Sequence, residues 1–169
     1  MIRNKFFFLF FIFFAFNASA QTKLSFIDFK YLINESKSGK EINKLLIEFR
    51  KKENDKLKKI QDKIKKEEAD IKSKTNILSE EDRKKKIDQL KSSVNNYNIL
   101  KNKKEKEFNQ KKTEYMNKLL NEINKIMISY IDENSIDIVI KKENLITGKK
   151  ELDITQFILK ELDKKKIKF

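Results

Sequence analysis

The densest run of chemistry-bearing side chains is Arg83-Lys84-Lys85-Lys86. Four consecutive cations can meet an anionic headgroup or an acidic polypeptide, or can simply solvate the first turn of a helix. The acids Glu67-Glu68 and Glu80-Glu81-Asp82 lie among lysines in helical stretches, where salt-bridge and capping roles fit better than paired acid–base work. Asp28 and Asp137 fall in strand-like segments and read as outward-facing or hydrogen-bonded residues. The chain has no His and no Cys, which removes the commonest general base, the commonest metal ligands and all thiol chemistry. Gly39 and Gly148 are its only glycines, so no Gly-rich phosphate loop can form. These residue types describe a protein that binds rather than catalyses, with no cofactor and no metal.

The elements that carry the cations begin after an unusual start. Arg3 and Lys5 precede the unbroken apolar run Phe6–Phe16, and Ala18-Ser19-Ala20 supplies a small-x-small site. This is the layout of a secretory leader cut between Ala20 and Gln21. The alternative, a membrane anchor, would need twice the length, because the run spans only ~16 Å as a helix. Without Cys there is no lipid-attachment signal. Residues 1–20 are therefore expected to be removed, leaving an exported chain whose stability rests on packing without disulfides.

No Pro and two Gly leave little material for turns, so long helices should dominate. Ile42, Leu46, Phe49, Glu53, Leu57, Ile60, Ile64, Glu67, Ile71, Lys74 and Leu78 step by three and four, with an eleven-residue stretch from Leu46 to Leu57. Thr75–Ser79 breaks the pattern. Ser79 followed by three acids reads as the cap of a second helix. Ile87, Leu90, Val94, Tyr97, Lys101, Lys104, Phe108, Lys111 and Tyr115 form its stripe, which widens toward Tyr130 and Ile131. Phe49, Tyr97, Phe108 and Tyr115 are read as seam residues, or alternatively as lining a cavity. Two antiparallel helices make an arm over residues 37–133, with its tip near 75–80.

The flanks are different. Lys23–Phe29 and Ile136–Lys141 read as strands, Leu145–Thr147 as a further short strand, and Gly148 as a positive-φ turn. Asp153-Ile154-Thr155-Gln156 reads as a capping pattern opening a last helix to about Lys165, with a fraying basic tail. Residues 21–36 and 134–169 thus form one small α+β body. About fifty residues is near the lower limit for a self-sufficient core, so an oligomer is expected. The fold class is α+β, mainly α: a small β-body with a long coiled-coil hairpin inserted between its strands. The charge follows this division, because residues 37–112 carry 25 Lys/Arg against 14 Asp/Glu. An exported basic segment favours anionic lipid or acidic protein, and nucleic acid is not an expected partner there.

Three segments in order carry a resemblance. FIDFKYLINESKSGK (Phe26–Lys40) follows the pattern V-D-x-x-x-L-x-x-S-x-x-G-K through Asp28, Leu32, Ser36, Gly39 and Lys40, with Leu32 one place later than in some members. Ile136–Ile140 (IDIVI) and LDITQFILKEL (Leu152–Leu162) match its late strand and its terminal helix, the latter through Asp153, Ile154, Thr155, Ile158 and Leu159. The chain resembles the Skp/OmpH family of periplasmic chaperones over the length that follows the leader. The resemblance implies a homotrimer with a central β-body and three arms around a cavity. It also implies an ATP-independent holdase that keeps unfolded outer-membrane proteins from aggregating in the periplasm. Some members are proposed to bind lipopolysaccharide through basic residues, which here would be Arg83, Lys84, Lys85 and Lys86. The competing reading is an exported coiled-coil scaffold or envelope spacer without chaperone activity.

Overall fold

A computed structural model describes residues 22–169; the leader and the cleavage pair Ala20–Gln21 lie outside the described residues. Strand β1 (Leu24–Ile27) leads into helix α1 (Phe29–Glu35). Helices α2 (Lys37–Ser73) and α3 (Glu80–Asn134) follow, then strand β2 (Ile138–Lys141), two single 3₁₀ turns and helix α4 (Thr155–Leu162). The two strands pair in parallel, Leu24 opposite Ile138 through Ile27 opposite Lys141, so the whole hairpin is the crossover between them. The expected architecture is present: two long helices inserted between the strands of a small sheet.

Strand β1 stops two residues before the sequence reading had it stop. Asp28 ends it by capping a helix: its carboxylate accepts from the Tyr31 N–H at 2.8 Å, which starts α1. That seven-residue helix was not anticipated. Ser36 then serves both neighbours. Its extended backbone breaks the helix, its N–H donates to the Leu32 carbonyl, and its buried hydroxyl accepts from Gly39 N at 3.0 Å to cap α2.

Gly39 is where the two helices meet. A Cβ there would lie 1.7 Å from the Ile33 carbonyl oxygen, a backbone atom that cannot step aside. Gly39→Ala should therefore destabilise the body by about 3 kcal/mol, the upper end of core overpacking. Urea unfolding followed by circular dichroism checks this, and an unchanged midpoint would contradict it.

Helix α3 ends without glycine. Ser135 takes the left-handed conformation at φ 50°, and the Ile136 N–H reaches back to the Ile131 carbonyl at 3.1 Å. Beyond β2 the expected strand at Leu145–Thr147 is absent. Those residues pass between the 3₁₀ turns at Lys142–Asn144 and Lys150–Leu152, with Ile146 fully exposed and unpaired with any strand among the described residues. Gly148 does not take a positive φ either. Its lack of a side chain makes room instead, since a Cβ there would come within 2.9 Å of the Phe26 ring.

Helix α4 ends at Leu162 rather than near Lys165, and its N-cap is Ile154. Asp153 accepts from Thr155 N at 2.9 Å, so the aspartate of the expected capping pattern caps through a tight turn, with no reciprocal contact from Gln156. The basic tail does not fray: Ile167 and Phe169 pack back onto the body.

The core is formed by Ile27, Leu32, Ile136, Ile154, Ile158 and Leu162 together with Ile42, Leu119, Ile123 and Ile126. The last four belong to the roots of α2 and α3, so the helices that form the arm also supply a face of the body's core. One polar network ties the body's segments: Asp28 N–H donates to the Thr155 hydroxyl at 2.9 Å, and Lys142 Nζ lies 3.2 Å from the Asp28 carboxylate. The Tyr31 N–H, followed by Lys142, holds the Asp28 carboxyl below the usual aspartate range.

Candidate binding surfaces on the arm and the sheet edge

At 1.5 Å per residue the 37 residues of α2 make a rod of ~55 Å, and α3, at 55 residues, runs on into the body. The hairpin turns over Lys74–Ser79. Ser79 caps α3 as its sequence predicts, its hydroxyl accepting from Asp82 N at 3.1 Å. No residue between Glu53 and Leu119 is buried. The paired helices therefore touch along a stripe and enclose no core.

On α2 the stripe runs close to the predicted one. On α3 its phase differs. The inner face is Lys86, Leu90, Ser93, Tyr97, Leu100 and Lys104, all partly covered, while Ile87, Val94 and Lys101 face out. Both phases obey three-four spacing. The observed one brings Leu100 inward in place of Lys101 and sets Lys86 within 3.4 Å of Asp70 across the hairpin. Ile87, Val94 and Ile99 on α3, Ile47 on α2 and Ile77 at the tip are left as isolated exposed apolar side chains on a basic surface.

The sequence-predicted cationic run does not act as one cluster. Lys86 pairs with Asp70, which Lys74 also engages, and Arg83 is partly covered. Lys84 and Lys85 are exposed and border a shallow groove with Glu81 and Asp88. The first turn of α3 therefore offers two outward lysines with acids beside them.

A charged group lies inside the seam. Glu53 is buried, only 7 % exposed, with Lys56 Nζ at 2.6 Å and Lys104 Nζ at 3.3 Å; Lys104 also reaches Glu107 at 2.8 Å. Lys56 first, then Lys104, keeps the Glu53 carboxyl below its ordinary range, and the Glu107 and Glu53 carboxylates raise the Lys104 ammonium. Toward the root the seam becomes aromatic. The Arg50 guanidinium lies 3.9 Å over the Phe108 ring, Phe108 and Phe49 are 6.4 Å apart, and Lys111 lies 5.7 Å from Phe49 and 5.8 Å from Tyr115.

The second surface is the sheet. Leu24 and Ile138 face each other across the strand pair and are 41 % and 49 % exposed. Leu152, next to the Asp153 that bridges Phe26 on the other side of β1, is exposed as well. A lone two-stranded sheet is marginal in water, and parallel strands are normally covered on both faces. The sequence signal for this surface was the β-branched run Ile136–Ile140. Its alternation marked a strand without telling which side lacked a partner.

The family model for outer membrane protein (OmpH-like) matches residues 23–162, so this chain belongs to the OmpH-like family. Among solved structures it is similar to a candidate outer membrane chaperone, OmpH-like, from Caulobacter crescentus CB15. The identity is 14 %, the TM-score 0.79, and 85 % of each chain is covered. No curated protein matches. The motif residues have structural work in the body: Asp28 and Ser36 cap helices, Gly39 admits a close helix crossing, and Thr155 ties α4 to β1.

Proposed function

We propose that this protein is an ATP-independent holdase of the periplasm that keeps unfolded outer-membrane proteins from aggregating in transit. One observation carries the reading: a basic helical arm without a core of its own, dotted with isolated exposed isoleucines, grows from a body with an uncovered apolar sheet edge. Dispersed apolar contacts hold an unfolded chain loosely, and a basic field draws in acidic ones. Membership of the OmpH-like family and the chaperone description of its Caulobacter relative support the same reading. Cleavage between Ala20 and Gln21 would release the chain into the periplasm. The uncovered edge calls for association with further copies, and the family resemblance supplies three as their number. Within this reading the first turn of α3, Arg83–Lys86, is the place for an anionic headgroup or acidic client, with Lys84 and Lys85 presented outward.

Salt tests the electrostatic part. Attraction between exposed charges reaches ~8 Å at physiological ionic strength and ~3 Å at 1 M. The association rate with an acidic unfolded barrel protein should fall several-fold over that range in stopped-flow fluorescence. Dissociation should change less, because apolar contacts strengthen in salt. Replacing Arg83, Lys84, Lys85 and Lys86 by Gln should lower the on-rate only modestly, since 21 of the 25 positive residues in 37–112 remain. A salt-independent on-rate would contradict the electrostatic account.

A further inference from the structure

Past Leu162 the chain makes its last backbone hydrogen bond at Lys165, donated to the Leu162 carbonyl, and then runs on without regular structure. In this run Ile167 and Phe169 are half-buried while Lys166 and Lys168 are exposed. That is the alternation of an extended strand, with two apolar side chains two residues apart on one side. The Phe169 ring packs edge-on against Tyr115 with centroids 5.6 Å apart. Tyr115 ends the cation–aromatic ladder of the arm root, which runs through Arg50, Phe108, Phe49 and Lys111. Every other rung comes from the arm helices. The last one comes from the end of the chain, on a tether that no backbone bond holds among the described residues beyond Lys165.

We propose that the Tyr115 face of the arm root is a binding site for extended client segments whose alternate residues are apolar and include an aromatic. In the client-free chain Ile167–Phe169 fills it. This rests on the holdase reading and names the segment chemistry that such a site takes. Strands of outer-membrane barrels alternate apolar and polar residues over about ten positions, so an unfolded barrel chain offers the same two-residue spacing as the tail. Lys111 beside the Tyr115 ring adds cation–π attraction for an incoming ring face. Two half-buried side chains on a free tether make an occupant weak enough to be displaced. The apparent affinity for a client segment is then reduced by the fraction of time that the tail is in place.

The test is fluorescence anisotropy with a labelled nine-residue peptide alternating Ser with Phe and Ile, on the chain from Gln21 to Phe169 and on a version ending at Lys165. Removing the tail should raise the apparent affinity about five- to tenfold, and Phe169→Ala in the full-length chain about two- to threefold. Tyr115→Ala in the shortened chain should cancel the gain. A peptide of the same composition with its apolar residues contiguous should bind both chains alike, and an unlabelled KKKIKF peptide should compete for the shortened chain. Unchanged or weaker binding after tail removal overturns the proposal. So does loss of the folded body in both variants by circular dichroism, which would make the tail a structural strap. Suppression of client aggregation, measured in parallel, separates the two levels. If intact and shortened chains suppress it equally and the peptide does not respond, the site fails and the holdase reading stands. If the intact chain never suppresses it, the functional reading fails.

Discussion

Excising residues 57–108 and closing the gap with a short Gly/Ser linker should leave a folded body that no longer captures unfolded clients. None of the removed residues is buried, and the core residues from Ile27 to Leu162 all lie outside the cut. The excision does have a local cost. Phe49 loses its partner Phe108, and Glu53 keeps Lys56 but loses Lys104, so some loosening at the new tip is expected. Circular dichroism should still show a cooperative thermal transition. Suppression of aggregation of an unfolded barrel protein should be abolished, because the exposed Ile77, Ile87, Val94 and Ile99 leave together with 16 of the 25 Lys/Arg in residues 37–112. An armless body that still suppresses aggregation would place the clients elsewhere.

Ile138→Lys should break the assembly. Ile138 is half exposed opposite Leu24; Asp153 bridges Phe26 on the other side of β1, and among the described residues no strand pairs with the outer side of β2. If copies associate through this edge, a lysine there buries a charge without a partner. A penalty of about 3 kcal/mol would weaken association by roughly two orders of magnitude. Sedimentation equilibrium at micromolar concentration should give the mass of three chains for the native protein and of one chain for the variant. Helix content should be largely kept, because α2 and α3 pair within one chain. A native protein that is already a stable monomer, or a variant that remains trimeric, would contradict this.

The long helices were legible because their information is local and repeated. Three-four spacing from Ile42 to Ile71 fixes both a helix and its inner face, and Ser79 with three acids marks where the next one begins. The phase of α3 was not legible. Its apolar residues are sparse enough for Ile87–Val94–Lys101 and Lys86–Ser93–Leu100 to compete as stripes, and only the facing helix, through Asp70 and the small Ser93, decides between them. Helix α1 escaped because seven residues carry less than two periods, and its start depends on one carboxylate, Asp28. Leu145–Thr147 looked like a strand by composition, yet three residues between two 3₁₀ turns are too few to pair, and the exposed side of β2 is left without them. The tail shows the opposite error. KKKIKF reads as solvated charge, and its apolar residues show their value only once Phe169 is seen against Tyr115 and Ile167 against the core. The cationic run Arg83–Lys86 was legible as residues but not as a surface, since consecutive helix positions point in different directions and one of the four is turned to Asp70.

Capture of unfolded outer-membrane proteins by this chain is tested by diluting a urea-unfolded barrel protein into nucleotide-free buffer containing three copies of the chain per client. Light scattering and the mass of the product are then measured. Scattering should stay near the baseline, with one client sedimenting with one trimer. Scattering as strong as without the chain, with the chain sedimenting free of client, would contradict capture and leave an exported coiled-coil spacer as the better reading.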